Sequence, residues 1–272
     1  MTAALGAFAT RDGHAAAVSA RGVKQSFRGR EILHDVDLVV EPGSFHGLIG
    51  PSGAGKTALL KVLYGARRAQ AGEVSLLGRA PDGRDCALLA RVGVQGAVSA
   101  FFSHATVWEH LSTVASLMGA SQARAHQFLD QMGLGRLRDW RVELIPVGAR
   151  RMLVLASAMV HHPEVLFLDE PMADLDTSER ADLLDALDEA RDEGTTVVCA
   201  ARLLGELGTL CDAVSVLDEG RVVAVGPASS FVADSNRCLT PQLGRTALHR
   251  PRGRIGALDP MPGVLGSRGV LA

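Results

Sequence analysis

The chain has no apolar run long enough to cross a membrane. Its longest, Met152–Val160, is bounded by Arg151 and His161 and falls far short of the about 20 residues a spanning helix needs. Any membrane role must therefore be borrowed from a partner. The N-terminal stretch is alanine-rich but lacks a basic start leading into a long apolar run, so a secretory signal is not expected. Cysteine is scarce and scattered: Cys86, Cys199, Cys211 and Cys238 form no CxxC pair, which argues against a metal site or disulfide framework and fits a reducing compartment. Lysine is almost absent, with only Lys24, Lys56 and Lys61, so the basic charge is nearly all arginine. The 28 basic residues are balanced by 30 acidic ones, leaving −2 and no basic excess of the kind a nucleic-acid binder carries. No internal repeat is present, and nothing resembles a Ser-His-Asp nucleophile set. The pair His161-His162, standing before Pro163, reads as cationic partners of a helix C-terminus rather than as metal ligands.

With 47% hydrophobic and 21% charged residues, the chain has the composition of a globular protein with a substantial core. Residues 1–15 read as a flexible leader. Short apolar runs follow, Val36–Val40 and Phe45–Ile49 among them, broken by Pro42-Gly43. Lys56–Tyr64 reads as a helix ended by Gly65, Glu73–Leu77 and Arg91–Val94 as strands, and Gln95–Thr106 as irregular. Apolar residues then recur at helical spacing from Val107 to Leu137. Alternation returns with a helix at Arg150–His161, a strand at Val165–Leu168, a helix at Ser178–Asp192 and strands at Thr195–Cys199 and Ala213–Leu217. Such βαβ alternation implies a parallel sheet covered on both faces and interrupted by a helical insertion. From 235 to 272 the chain reads as a loosely ordered basic tail, with Arg237, Arg245, Arg250, Arg252, Arg254 and Arg268 against Asp259 alone.

The strongest chemical signal is Gly50-Pro51-Ser52-Gly53-Ala54-Gly55-Lys56-Thr57, a complete G-x-x-x-x-G-K-[ST] between a strand and a helix. Its glycines let the backbone curl so that several N–H groups point at phosphate oxygens, and the helix N-terminus adds partial positive charge. Lys56 would reach the β- and γ-phosphates of a nucleotide, and the Thr57 hydroxyl would ligate Mg²⁺. A second signal is Val165-Leu166-Phe167-Leu168-Asp169-Glu170, an apolar strand ending in two acids. Asp169 would hold the Mg²⁺ shell and Glu170 would polarise an attacking water, making Lys56 and Glu170 the catalytic pair.

Around these motifs, residues 17 to 233 resemble the ATP-binding cassette (ABC) ATPase family. Ala173-Asp174-Leu175-Asp176 after the acidic strand is similar to the family's D-loop. Val216 to Gly226 is similar to its closing hairpin, and Phe101 to Leu111 to the segment after its Q-loop. The resemblance implies an α/β fold: a P-loop NTPase core with a mostly parallel sheet, an N-terminal antiparallel β-subdomain, and an inserted α-helical subdomain at about 96–158 within an ATP-binding domain at 16–234. It also implies ATP and Mg²⁺ as ligands, Gln95 as the Q-loop glutamine touching Mg²⁺ and the membrane partner, and Phe27 as the aromatic ring stacked on adenine. The implied partners are a membrane-spanning permease and a second ATP-binding subunit, with the chain cytoplasmic and peripheral on the inner face of the membrane.

Three departures stand out. The family signature L-S-G-G-Q falls on Ile145-Pro146-Val147-Gly148-Ala149, where Pro146 supplies neither hydroxyl nor N–H and Val147 adds a branched side chain. The switch histidine, which in the family contacts the γ-phosphate, is Arg202. The Q-loop strand lacks the usual proline and is one residue short. Because the losses cluster at the clamp on the partner's nucleotide, a heterodimer with one competent site is favoured over a homodimer with two weak ones. Two functional readings stand: a transport ATPase, leaning to export, and a regulatory or structural ATP-binding subunit with little hydrolysis. A cassette acting on nucleic acid or ribosomes fits least, since duplicated cassettes, a long coiled-coil insertion and strong basic charge are missing.

Overall fold

A computed structural model of the chain describes residues 15–96, 102, 104–207 and 210–232. The expected leader before Ala15 and the expected basic tail lie outside them. The order is β1 (Val18–Phe27), β2 (Arg30–Val40), β3 (Phe45–Ile49), α1 (Lys56–Leu63), β4 (Ala71–Leu76), α2 (Cys86–Leu89) and β5 (Val92–Gln95). Helices α3 (Val107–Leu117), α4 (Gln122–Gln131) and α5 (Val147–Met159) interrupt the alternation. It resumes with β6 (Val165–Asp169), α6 (Thr177–Asp192), β7 (Thr196–Ala201), β8 (Ala213–Asp218), β9 (Arg221–Pro227) and α7 (Ala228–Val232).

Two sheets form. One is antiparallel, in the order β2-β1-β4; the other is six-stranded, β5-β6-β7-β3-β8-β9, parallel except for the final pair. The α/β class with an N-terminal antiparallel sheet and a helical insertion is therefore as the sequence implied. Strands β3, β6 and β7 are buried along their whole length because the parallel sheet is covered on both faces. Alternate residues divide between those faces. Leu166 and Leu168 join the core shared with α3–α6, whereas Val165 and Phe167 join the core under α1 and the antiparallel sheet. His46, buried in mid-strand, has Nε2 2.9 Å from Ser215 Oγ, and burial pushes its pKa down to about 4, so the ring stays neutral.

The helical period read over 107–137 is broken by Gly119 at φ 77°, and two capped helices result. Thr106 and Glu109 close a capping box on α3, and Asp176 and Glu179 close one on α6. Several boundaries differ from the sequence reading by one to three residues, and two of them bear on the site. Helix α5 begins at Val147, not Arg150, with Pro146 as its N-cap at φ −55°. Proline suits a helix start because the N–H it lacks would find no partner within the helix there. Gln95 is the last residue of β5, not the first of an irregular segment, and pairs in register with Leu168. The histidine reading also changes: His161 Nε2 lies 3.3 Å from the Val92 carbonyl and burial lowers its pKa, which disfavours the charged form a helix C-terminus would want.

The consequence for function is one edge. Ile49, Gln95, Asp169 and Ala201 end β3, β5, β6 and β7, and in a parallel sheet ligands bind in the crevice beyond the carboxyl ends of the strands.

Candidate functional site

The Gly50–Thr57 loop leaves β3 and enters α1. Gly53 and Gly55 have φ of 84° and 104°, a region that favours glycine, and a Cβ on Gly50 would stand 2.1 Å from the Leu217 carbonyl oxygen. No side chain caps α1 at Gly55, so the first-turn N–H groups remain for an anion. The loop is braced from behind: Gly220, in the β8–β9 turn, donates its N–H to the Ala54 carbonyl (2.9 Å) and accepts from His34 (2.9 Å). Within the loop, Lys56 Nζ donates to the carbonyls of Gly50 (2.7 Å) and Pro51 (3.0 Å) and is 4% exposed. Burial lowers the ammonium pKa, and the nearby carboxylates of Glu170 and Asp169 oppose that shift.

Across one intervening strand, Thr57 Oγ1 donates to Asp169 Oδ2 at 2.8 Å. Burial raises the Asp169 pKa, and the Thr57 hydrogen bond pulls it the other way. A hydroxyl and a carboxylate oxygen brought together beside a phosphate loop are the hard oxygen donors that Mg²⁺ prefers, so the residues fit the ion the motif implies. Glu170 follows with Oε1 3.7 Å from Lys56 Nζ.

Arg202, just past β7, grips the same carboxylate: its Nε and Nη2 donate to Glu170 Oε2 at 3.0 and 2.9 Å. The switch position is thus in contact with Glu170, and this contact, chiefly the hydrogen bond, holds the Glu170 carboxyl below the usual range. A carboxylate with a depressed pKa is ionised at neutral pH but is a weaker base. If Glu170 serves as the base, activity should fail only as pH drops through its lowered pKa. Arg202→Gln should move that acid limb upward toward the ordinary carboxylate range, read from the pH profile of ATP hydrolysis. An unmoved limb would count against the Arg202–Glu170 contact in the working enzyme.

The remaining residues divide. Gln95, 3% exposed, accepts from the Asp169 N–H through Oε1 (2.9 Å) and directs Nε2 to the Asp169 carbonyl (3.4 Å). Its amide therefore holds the main chain of the acidic strand from β5, the strand adjacent to β6. Phe27 ends β1 at 43% exposure, and its ring partners are Arg67 (4.9 Å) and Arg28 (5.3 Å) rather than the phosphate loop. An incoming adenine would compete with those cations for the ring face. Of the signature positions, Pro146 caps α5 and Val147 to Ala149 form its first turn, with Val147 exposed and Ile145 buried. Gly148 has a local reason to be glycine: a Cβ there would lie 2.2 Å from Glu179 Oε1.

Sequence reasoning missed Arg151 and Glu179. Arg151 Nη1 donates to the Glu170 carbonyl (3.0 Å), with Nη2 3.6 Å from Asp174 Oδ2. In the sequence it marks only the edge of an apolar run, and no spacing ties it to residue 170.

Comparison with known proteins agrees with this geometry. The family described as ABC transporter matches residues 33–173. The daunorubicin resistance ATP-binding protein DrrA3 of Streptomyces coeruleorubidus is 34% identical, over 80% of this chain and 71% of the relative. The Nod factor export ATP-binding protein I of Burkholderia lata is 32% identical, over 82% of this chain and 75% of the relative. A solved ATP-binding subunit of an ABC transporter superposes with a TM-score of 0.73 at 22% identity, over 80% of this chain and 93% of that one, which speaks to the fold.

Proposed function

The chain belongs to the ABC transporter family of ATP-binding proteins, and from that premise we propose that it couples ATP binding and hydrolysis to a separate membrane-spanning subunit. The observation that carries this reading is the convergence of Lys56, the Thr57–Asp169 pair and Glu170 at adjoining strand ends. Members of this family hydrolyse ATP, and among the described residues no helix is long and apolar enough to cross a membrane.

In this reading the loop N–H groups and Lys56 receive the phosphates, with Lys56 exchanging the Gly50 and Pro51 carbonyls for phosphate oxygens. Mg²⁺ held at Thr57 and Asp169 would neutralise charge on the phosphates. Glu170 polarises the attacking water, and Arg202 offers its guanidinium to the γ-phosphate. The altered signature makes the arrangement asymmetric. This chain's phosphate loop, facing an intact signature on a second ATP-binding subunit, forms the competent site, while its own α5 start serves the weaker one. A heterodimer on the inner face of the membrane follows, held there by the permease. The relatives named for drug resistance and for Nod factor export support an export direction.

The test is Mg²⁺-dependent ATP hydrolysis by the purified chain, alone and with the membrane and ATP-binding subunits that co-purify with it from its native membrane. Turnover should rise at least about tenfold in the complex, since one lost phosphate-stabilising donor commonly costs more than that. Equal turnover alone and in complex would count against the asymmetric reading. ATP binding without turnover by this chain's own site, even in the complex, would favour the second reading, a regulatory subunit, toward which the Arg202 grip on Glu170 also points.

A further inference from the structure

Glu170, the first residue past β6, has φ 50°, and in the loop that follows Asp174 has φ 60°. Both lie in the left-handed region without being glycine, a conformation that persists only where surrounding contacts hold it. The contacts are specific. The Glu170 N–H donates to the Ala200 carbonyl (2.9 Å), and its carbonyl accepts from Ala173 (3.2 Å) and from Arg151 Nη1 (3.0 Å). The other end of the same guanidinium lies 3.6 Å from Asp174 Oδ2. Arg151 thus touches both left-handed residues of the loop, and its planar fork suits such a bridge, which a single ammonium cannot reproduce.

The backbone of Glu170 decides where its carboxylate points. Rotation out of the left-handed region would swing Oε1 away from Lys56 and Oε2 away from Arg202, contacts now at 3.7 and 2.9 Å. We propose that Arg151 is a positioning residue for hydrolysis: it holds the Glu170 backbone in its left-handed turn and so aims the carboxylate at the phosphate end of Lys56. Arg151 lies on α5, whose first turn is Val147-Gly148-Ala149. Pressure from a partner's nucleotide on that turn would reach Glu170 through one rigid helix and one side chain. This inference rests on the reading of Glu170 as the hydrolytic base.

The experiment uses the full chain: single-turnover ATP hydrolysis at neutral pH and ATP binding by calorimetry, with Arg151→Met, Arg151→Lys and Glu170→Gln. Arg151→Met should slow hydrolysis about 10- to 100-fold, as misplacement of a reacting group by about 1 Å does, while leaving ATP affinity unchanged. Arg151→Lys should recover part of the rate, since an ammonium can still donate to the Glu170 carbonyl.

Unchanged rate in folded Arg151→Met, with Glu170→Gln inactive, would overturn the positioning role and leave the base intact. A fall in thermal stability and ATP affinity together, with no rescue by lysine, would make Arg151 merely structural and overturn it equally. Normal hydrolysis by Glu170→Gln would remove the base itself, and this inference with it.

Discussion

Lys56→Ala should weaken ATP binding by about 100-fold or more, on the basis of two charge-assisted hydrogen bonds worth about 1.5–3 kcal/mol each. The loss is large because the ammonium is 4% exposed and held by the Gly50 and Pro51 carbonyls, so no other cation can enter its place without rebuilding the loop. Neither of the other lysines, Lys24 and Lys61, lies within the Gly50–Thr57 loop. Glu170→Gln separates binding from chemistry. It keeps the side-chain shape, removes the charge facing Lys56 and Arg202, and leaves both cations free for phosphate. ATP should bind at least as well, while turnover falls about 10²–10³-fold, within the range lost when a general base is removed. Calorimetry paired with a phosphate-release assay reads both variants. Retained ATP affinity in Lys56→Ala would mean that the loop is not the phosphate site.

The second large effect concerns the start of α5. The triple variant Pro146→Ser, Val147→Gly, Ala149→Gln should raise turnover of the chain about tenfold or more, as a restored donor to phosphate does. Pro146 now provides no side-chain cap, and the exposed Val147 stands where close approach is wanted. Stability should change little: a serine cap contributes about 1 kcal/mol, and glycine in a helix costs about as much. A limit on the gain is visible in the structure. The Glu179 carboxylate packs against Gly148 and sets a negative charge near the positive end of α5. Adding Glu179→Gln to the triple variant should therefore raise turnover further, most clearly at low ionic strength. No gain in folded protein from either change would show that the altered signature does not limit turnover.

Much of the fold was legible because its signals are local. The apolar run of β6 and the helical period after Val107 each depend on residues within one turn or one strand of each other. The start of α5 is less legible, because Pro146 reads equally as a loop residue and as the residue at which a helix begins. Gln95 falls at a strand end, which period alone does not fix, so its place on β5 and its contact with the Asp169 main chain come from the sheet.

By itself the sequence determined the phosphate loop and the acidic strand end. Their chemistry needs consecutive residues: backbone N–H groups in an unbroken curl, a lysine and threonine at the helix start, and carboxylates where a buried strand emerges. The tertiary structure alone decided how those acids are held. Arg202 comes from the neighbouring strand β7, Arg151 from α5 across the strand end, and Gln95 from β5 on the far side of β6. Those contacts follow from sheet order and helix packing, which place side chains far apart in sequence at hydrogen-bond distance. No local pattern in the chain records which of them will meet.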